Sequence, residues 1–503
     1  MKTKIMDHEY WYGGIAHVGH RMPIGQDSDL VLDPDGPDAL DQCAPLYVST
    51  AGRYLWSEAP FALRACDGIL STEGEKEMIL GETHGHLRES YLAVTGQYLK
   101  PTGRIPDAHF FTGPQYNTWI ELKTEQTAEG ILRYAQSMKN EGLPAGILMI
   151  DEGWQEGYGT FEFNRRKIPD PAQLITQLHD LGYSVMLWVT PLISCAGPLF
   201  LQLRENGMLL RDRNGQIAIR EWWNGYSAIL DLTAPAAVDW LCSQLDRLMN
   251  EYGVDGFKFD AGDPYFYRKD DQAFIPGTPQ DQEQAYNRLG GRYALNEFRA
   301  AWNCGGQAVI CRLQDKWHSW DRAGLNMLIP NTLAQGLTGH VWCCPDMVGG
   351  GDSGSFGENF HPDEELFVRW AQANACMGMM QLSVNPFRIL SAENAARVKD
   401  AILLHCKLAP YILEVAQHAA VTGEPLVRPL AYVFPDEGFD NVTDRFMLGD
   451  RLLVCPVLHK GITRVEIRLP QGMWRSWKDE EIKGGEIYRS DVTLDDLPRF
   501  TRI

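Results

Sequence analysis

The chain has no run of about 18 apolar residues of the kind that crosses a bilayer, and Met1–Ala16 has no apolar stretch like that of a secretion signal. Both absences predict a protein with no membrane partner and favour the cytoplasm. Basic residues are few beside acidic ones, 46 Lys and Arg against 66 Asp and Glu, for a net charge of −20. Such a balance repels a phosphate backbone, and no Lys/Arg block overrides it, so nucleic acid is excluded as a partner. The 11 cysteines are odd in number, irregularly spaced and without a CxxC pair, which argues for reduced thiols rather than a disulfide framework or a zinc knuckle. No GxGxxG follows the first candidate strand, and Gly349-Gly350-Gly351 is not followed by Gly-Lys-Ser/Thr, so neither a dinucleotide nor a triphosphate cradle is expected. His84-Gly85-His86 lacks further ligands and reads as a surface turn. No metal and no cofactor is expected. Asn441-Val442-Thr443 matches a glycosylation sequon, which means little without a secretion signal.

What is present is enough for a large catalytic domain with smaller companions, since 503 residues exceed one ordinary domain. The 15 tryptophans suit a neutral, stackable ligand such as a sugar, although core packing accounts for many of them. Residues 1–112 show short alternating runs, such as Gly52–Trp56 and Lys76–Leu80, broken by Gly/Pro/Asp clusters, and predict an N-terminal β-sandwich. Residues 113–410 alternate strand-like and helix-like segments, the pattern of a parallel α/β fold. The expected strands are Thr118–Lys123, Gly146–Asp151, Ser184–Val189, Gly256–Asp260, Ala308–Leu313, a short one ending near Trp320, Val341–Pro345 and Met380–Val384. In Ala236–Tyr252 the residues Val238, Leu241, Leu245, Leu248 and Tyr252 form one apolar helix stripe, with Pro235 at its start and Gly253 at its end. Eight strands over such a length predict a (β/α)8 barrel, with a doubly wound open sheet as the alternative. After a helical stretch, Asn394–Gly423, residues 411–503 return to strand patterns at Leu452–Leu458 and Val465–Leu469, which predicts a small C-terminal β-sandwich.

The most informative stretch is Val254–Asp263. Its buried strand pattern breaks directly after Asp260. A carboxylate at the tip of a buried strand costs several kcal/mol, about 2–7 for a polar group left unpaired, and barrel enzymes place their chemistry at such strand ends. Other expected strand ends carry Asp151 and Trp154, Trp188, Asp263, Arg312, Trp320 and Asp321, and Asp346. In a barrel these converge on one mouth. Several carboxylates, an arginine and tryptophans suit a carbohydrate, because carboxylates accept hydrogen bonds from hydroxyls and indoles cover the apolar sugar face. Trp222-Trp223, in an insertion, either lines that pocket or pins a hairpin.

Val254–Asp263, Ile150–Trp154 and Glu365–Trp370 together resemble glycoside hydrolase family 31. Arg312–Lys316, Leu328-Ile329-Pro330 and Pro345–Gly350 are similar to the branch holding myogenesis-regulating glycosidase and bacterial α-galactosidases. The resemblance implies a retaining exo-α-glycosidase with Asp260 as nucleophile and Asp321 as acid/base, and Asp315 as the alternative acid because the spacing at Trp320-Asp321-Arg322 departs from the family pattern. It implies that Arg312, Asp151 and Trp154 bind the sugar, with Asp346 supporting the pocket. Lys258, two residues before the nucleophile, and the lack of a histidine in Met379–Val384 argue against a simple α-glucosidase and favour an α-galactoside.

Retention needs the two carboxyl groups about 5–5.5 Å apart, with the acid's pKa raised above the nucleophile's. Residues i and i+2 of a strand share a face, so Lys258 is expected beside Asp260, keeping it ionised and donating to a sugar hydroxyl. An α-xylosidase, an α-glucosidase, a transglycosylase and a non-catalytic sugar-binding relative are the competing readings. The expected partner is a small carbohydrate, and a homo-oligomer is compatible with the sequence.

Overall fold

The computed structural model describes residues 1–357 and 360–503. Its centre is an eight-stranded parallel sheet of β1 (Gln115–Asn117), β2 (Ile147–Ile150), β3 (Ser184–Val189), β4 (Gly256–Phe259), β5 (Leu295–Phe298), β6 (Ile310–Arg312), β7 (Cys343–Cys344) and β8 (Gln381–Leu382). The spatial order is β7-β6-β5-β4-β3-β2-β1-β8, with every neighbouring pair parallel. The sheet curls into a nearly closed barrel. β7 and β8 share no ladder, but Gln381 Nε2 lies 3.8 Å from Cys344 Sγ and the Val348 N–H donates to the Gln381 carbonyl at 2.8 Å.

The helix expected over Ala236–Tyr252 spans Pro235–Tyr252 and buries Leu241, Leu245 and Leu248 toward the sheet. It stops at Gly253, whose φ of 80° is left-handed and lets its N–H reach the Met249 carbonyl. Two expected strands are corrected. The first is Gln115–Asn117, not Thr118–Lys123, because Asn117 Oδ1 accepts the Trp119 N–H at 2.8 Å and turns the chain into a short helix, Trp119–Leu122. The segment ending near Trp320 is a series of bends and turns. The fifth strand is instead Leu295–Phe298. Its polar Asn296 and Glu297 are buried, Asn296 by donating to the Gly290 and Tyr293 carbonyls at 3.2 and 2.8 Å.

Two antiparallel sheets make up the N-terminal region, and Ala301–Trp302, just beyond β5, adds a parallel edge to one of them. At the C-terminal end, a six-stranded sheet and the pair Arg464–Arg468/Ile487–Asp491 form a β domain. The boundary expected at 410 falls inside the continuous helix Ala392–Thr422, which ends at Gly423 with φ 76°. All 11 cysteines are free thiols. Among the described residues no helix is long and apolar enough to cross a membrane, and no cluster of His, Cys, Asp and Glu is arranged to hold a metal ion.

Candidate active site

Asp260 follows directly on β4, and its carboxylate is held from several sides. Trp188 Nε1, from β3, donates to Oδ2 at 2.7 Å, the Ala261 N–H donates to Oδ1 at 2.8 Å, and Arg299 Nε lies 3.3 Å from Oδ1. Ala261 takes a left-handed φ of 55° that turns the chain sharply after the carboxylate. Burial favours the neutral acid, but Arg299, Lys258, the Trp188 N–H and Arg312 outweigh it and hold the carboxyl at about 2. Asp260 is therefore a buried, ionised carboxylate facing cations.

Lys258 points into the barrel, as alternation along β4 requires, and is 3% exposed. Its direct partner is not Asp260 but Asp151, at the end of β2, with Nζ to Oδ2 at 2.7 Å. Arg312, at the end of β6, is buried and reaches Asp315 Oδ1 at 2.7 Å, Asp346 Oδ1 at 3.3 Å and Glu297 Oε1 at 3.5 Å. Asp346 lies wholly beneath it and also accepts the N–H groups of Lys316, Met347 and Gly351. Burial, then the nearby Asp315 carboxylate, push the Asp346 carboxyl up to about 7 against these donors. Asp263 is buried in an ion pair with Arg299.

Asp151, Trp188, Lys258, Asp260, Asp263, Arg312 and Asp346 thus come together. Three expected site residues do not. Trp154 is fully buried against Phe163, with ring centroids 4.7 Å apart, and its indole N–H is spent on the Trp188 carbonyl at 2.7 Å, which leaves none of its surface open. Trp320 is partly buried against the main core and donates from Nε1 to Asp363 at 3.0 Å. Asp321 is exposed and accepts from Ser319 Oγ and the Ala323 N–H at 2.7 and 2.9 Å. Those bonds hold its carboxyl below the usual carboxylate range, the opposite of what an acid catalyst needs. Asp315 is placed better. Its side chain is 32% exposed at the mouth, it pairs with Arg312, and it shares with Asp260 the field of Lys258 and Arg312.

Several site residues escaped the sequence. Arg299 touches both Asp260 and Asp263, and Glu297 meets Arg312 and accepts from Gln381 Nε2 at 2.8 Å. Both belong to β5 or its end, and the alternation Leu295, Glu297, Arg299 was the available signal. Glu152, next to Asp151, accepts from Tyr158 Oη at 2.6 Å, Trp223 Nε1 at 2.8 Å and Asn224 Nδ2. Of the tryptophan pair, Trp222 is buried against Tyr158. Trp223 is 45% exposed at the rim, with the Arg299 guanidinium 5.0 Å from its ring centre. Beside the mouth, Pro34, Pro37, Pro264, Tyr265, Tyr267 and Lys269 line a cleft of about 520 Å³.

Residues 112–415 match the glycosyl hydrolases family 31 TIM-barrel domain, and residues 423–503 match the glycosyl hydrolase family 31 C-terminal domain. The myogenesis-regulating glycosidase of Mus musculus is 32% identical over 416 residues, covering 80% of this chain and 58% of that protein. The α-xylosidase XylQ of Lactiplantibacillus pentosus is 28% identical, covering 84% of this chain and 56% of its own. A Flavobacterium johnsoniae GH31 dextranase complexed with glucose superposes with a TM-score of 0.86 at 20% identity, over 100% of this chain and 66% of that one. The chain spans somewhat more than half the length of these curated relatives. On the match of the family model to most of its length, the chain belongs to glycoside hydrolase family 31.

Proposed function

We propose that the chain is a retaining exo-α-glycosidase in which Asp260 is the nucleophile and Asp315, rather than Asp321, is the acid/base. The observation that carries this is the buried Asp260 carboxylate at the end of β4, which accepts from Trp188 Nε1 and the Ala261 N–H and lies 3.3 Å from Arg299 Nε, contacts that favour its ionised form. Asp260 attacks the anomeric carbon and forms a glycosyl ester. Asp315 gives its proton to the departing oxygen, then takes one from the water that cleaves the ester. Arg299, Arg312 and the Lys258–Asp151 pair surround the space above Asp260 with donors and acceptors for sugar hydroxyls. The cleft beside Tyr265 gives room for the leaving group.

An α-galactoside is the preferred substrate in this reading. Support comes from Lys258 two residues before the nucleophile and the absence of histidine in Met379–Val384. Relatives named α-xylosidase and lysosomal α-glucosidase make xylosides and glucosides the alternatives. Initial rates on nitrophenyl α-galactoside, α-xyloside and α-glucoside test the choice. In the same assay Asp260→Asn and Asp315→Asn each lose at least about 10²-fold in kcat, while Asp321→Asn stays near wild type. A large loss in Asp321→Asn with Asp315→Asn unaffected would reverse the assignment of the acid.

A further inference from the structure

The N-terminal domain does more than pack on the barrel. It enters the barrel mouth between the ends of β5 and β6. Gln42 and Cys43 pair in parallel with Ala301 and Trp302, the Ala301 N–H donates to the Asp41 carbonyl at 3.2 Å, and the Asn303 N–H donates to the Cys43 carbonyl at 2.9 Å. This splice sets two buried polar side chains behind the site. Gln42 Nε2 donates to the carbonyl oxygens of both Arg299 and Arg312, at 2.7 and 3.1 Å. One amide thus joins the backbones of the two arginines that act on Asp260, Arg299 by contact and Arg312 through its charge. The Asp41 carboxylate accepts the N–H of Gln314, the residue before Asp315, and lies 3.1 Å from His17 Nδ1.

Asp41 holds these contacts from a left-handed backbone with φ 62°, which residues other than glycine, asparagine and aspartate rarely adopt. Domain docking does not require that conformation. An apolar cluster already joins Leu46 and Val48 to Trp302, Leu337 and Tyr432. Burial opposes the charge on Asp41, but His17, Lys316 and the Gln314 N–H hold its carboxyl below the usual range. The partners of its carboxylate other than His17 belong to the loop that carries Asp315.

We propose that Asp41 and Gln42 are positioning residues supplied by the N-terminal domain to the reaction centre. Gln42 fixes Arg299 relative to Arg312, and Asp41 fixes the Asp315 loop through Gln314. The proposal rests on the reading of Asp260 and Asp315 given above, and it assigns the N-terminal domain a part in the proton-transfer step.

The test compares two aryl α-glycosides of the sugar the wild type prefers. A dinitrophenyl group leaves without a proton, whereas a plain phenyl group needs one from the acid. Asp41→Gly keeps the left-handed backbone and removes the acceptor. Asp41→Asn keeps both an acceptor and the backbone preference. The expected result is that Asp41→Gly loses about tenfold more kcat/KM on the phenyl than on the dinitrophenyl glycoside, a difference of about 1.4 kcal/mol in barrier. Asp41→Asn should restore most of it. Gln42→Met should lose about equally on both, because it disturbs the arginines around the nucleophile. Should Asp41→Gly not fold, His17→Ala, which removes the carboxylate's other partner and leaves the Asp41 backbone as it is, should show a smaller selective loss of the same sign. Equal losses of Asp41→Gly on both leaving groups, or no recovery in Asp41→Asn, would overturn the positioning role of Asp41, and an unchanged Gln42→Met that of Gln42. Absence of turnover in the wild type would instead overturn the glycosidase reading itself, and needs no variant to see.

Discussion

Asp260 shows how a carboxylate can be buried and still ionised. The cost of desolvation is met by Arg299, Lys258 and Arg312 and by two N–H donors. Its folded pKa of about 2 lies below the ordinary 3.8. The stabilisation from this group is therefore fully present above 3.8 and is lost as pH falls through about 2. The acid limb of kcat/KM should accordingly show no decline due to Asp260 above about pH 4. Lys258→Met should move that limb upward, because one cation no longer favours the ionised form. It should also lower the thermal midpoint, since Asp151 is left as a buried charge without its partner, at a cost of about 3–5 kcal/mol. A Lys258→Met enzyme with an unchanged pH–rate profile would remove Lys258 from the electrostatics of the nucleophile. Asp151, Asp260 and Arg312 were legible as polar residues ending apolar strands. The Lys258–Asp151 pair was not, because alternation along β4 tells which face Lys258 uses but not which neighbour two strands away receives its ammonium.

At the scale of elements, the hairpin of Ile219–Trp222 and Gly225–Ile229 carries Trp223 to the candidate site. Its tip is latched by Glu152, which binds both Trp223 and Asn224 and is itself fixed by Tyr158. The latch keeps the half-exposed Trp223 ring against Arg299 at the rim. Glu152→Ala removes these bonds, each worth about 1 kcal/mol, and should raise KM about tenfold with a smaller change in kcat in steady-state assays. A fall in kcat at constant KM would locate Glu152 in the chemistry instead. The sequence left Trp222-Trp223 undecided between pocket and pin, and each residue takes one role, a division that depends on the hairpin's tilt over the mouth. The misplacement of Asp321 has an element-scale cause too. β5 buries Asn296 on its outer face, against the Gly290, Tyr293 and Ala308 carbonyls, and Glu297 on its inner face, against Arg312 and Gln381; two adjacent polar residues conceal a strand, and the sequence pattern places one near Trp320 instead. That error carried Asp321 to a strand end it does not occupy.

For the molecule as a whole, the alternation of strands and helices made the barrel legible, and the return to β patterns did the same for the two flanking domains. Their joints were not legible. The helix Ala392–Thr422 runs through the boundary expected at 410, and the N-terminal sheet takes an edge strand from beyond β5. Such splices are made by backbone pairing between distant segments, which leaves no periodic trace in either one. In the proposed mechanism these three regions together build a centre in which Asp260 forms a covalent glycosyl ester. Incubation of this chain with a 5-fluoro-α-galactosyl fluoride, which slows breakdown of the ester more than its formation, followed by proteolysis and mass spectrometry, tests it most directly. The added sugar mass is expected on the peptide containing Asp260, and none in Asp260→Asn. A label on any other carboxylate, or turnover that inverts the anomeric configuration, would contradict it.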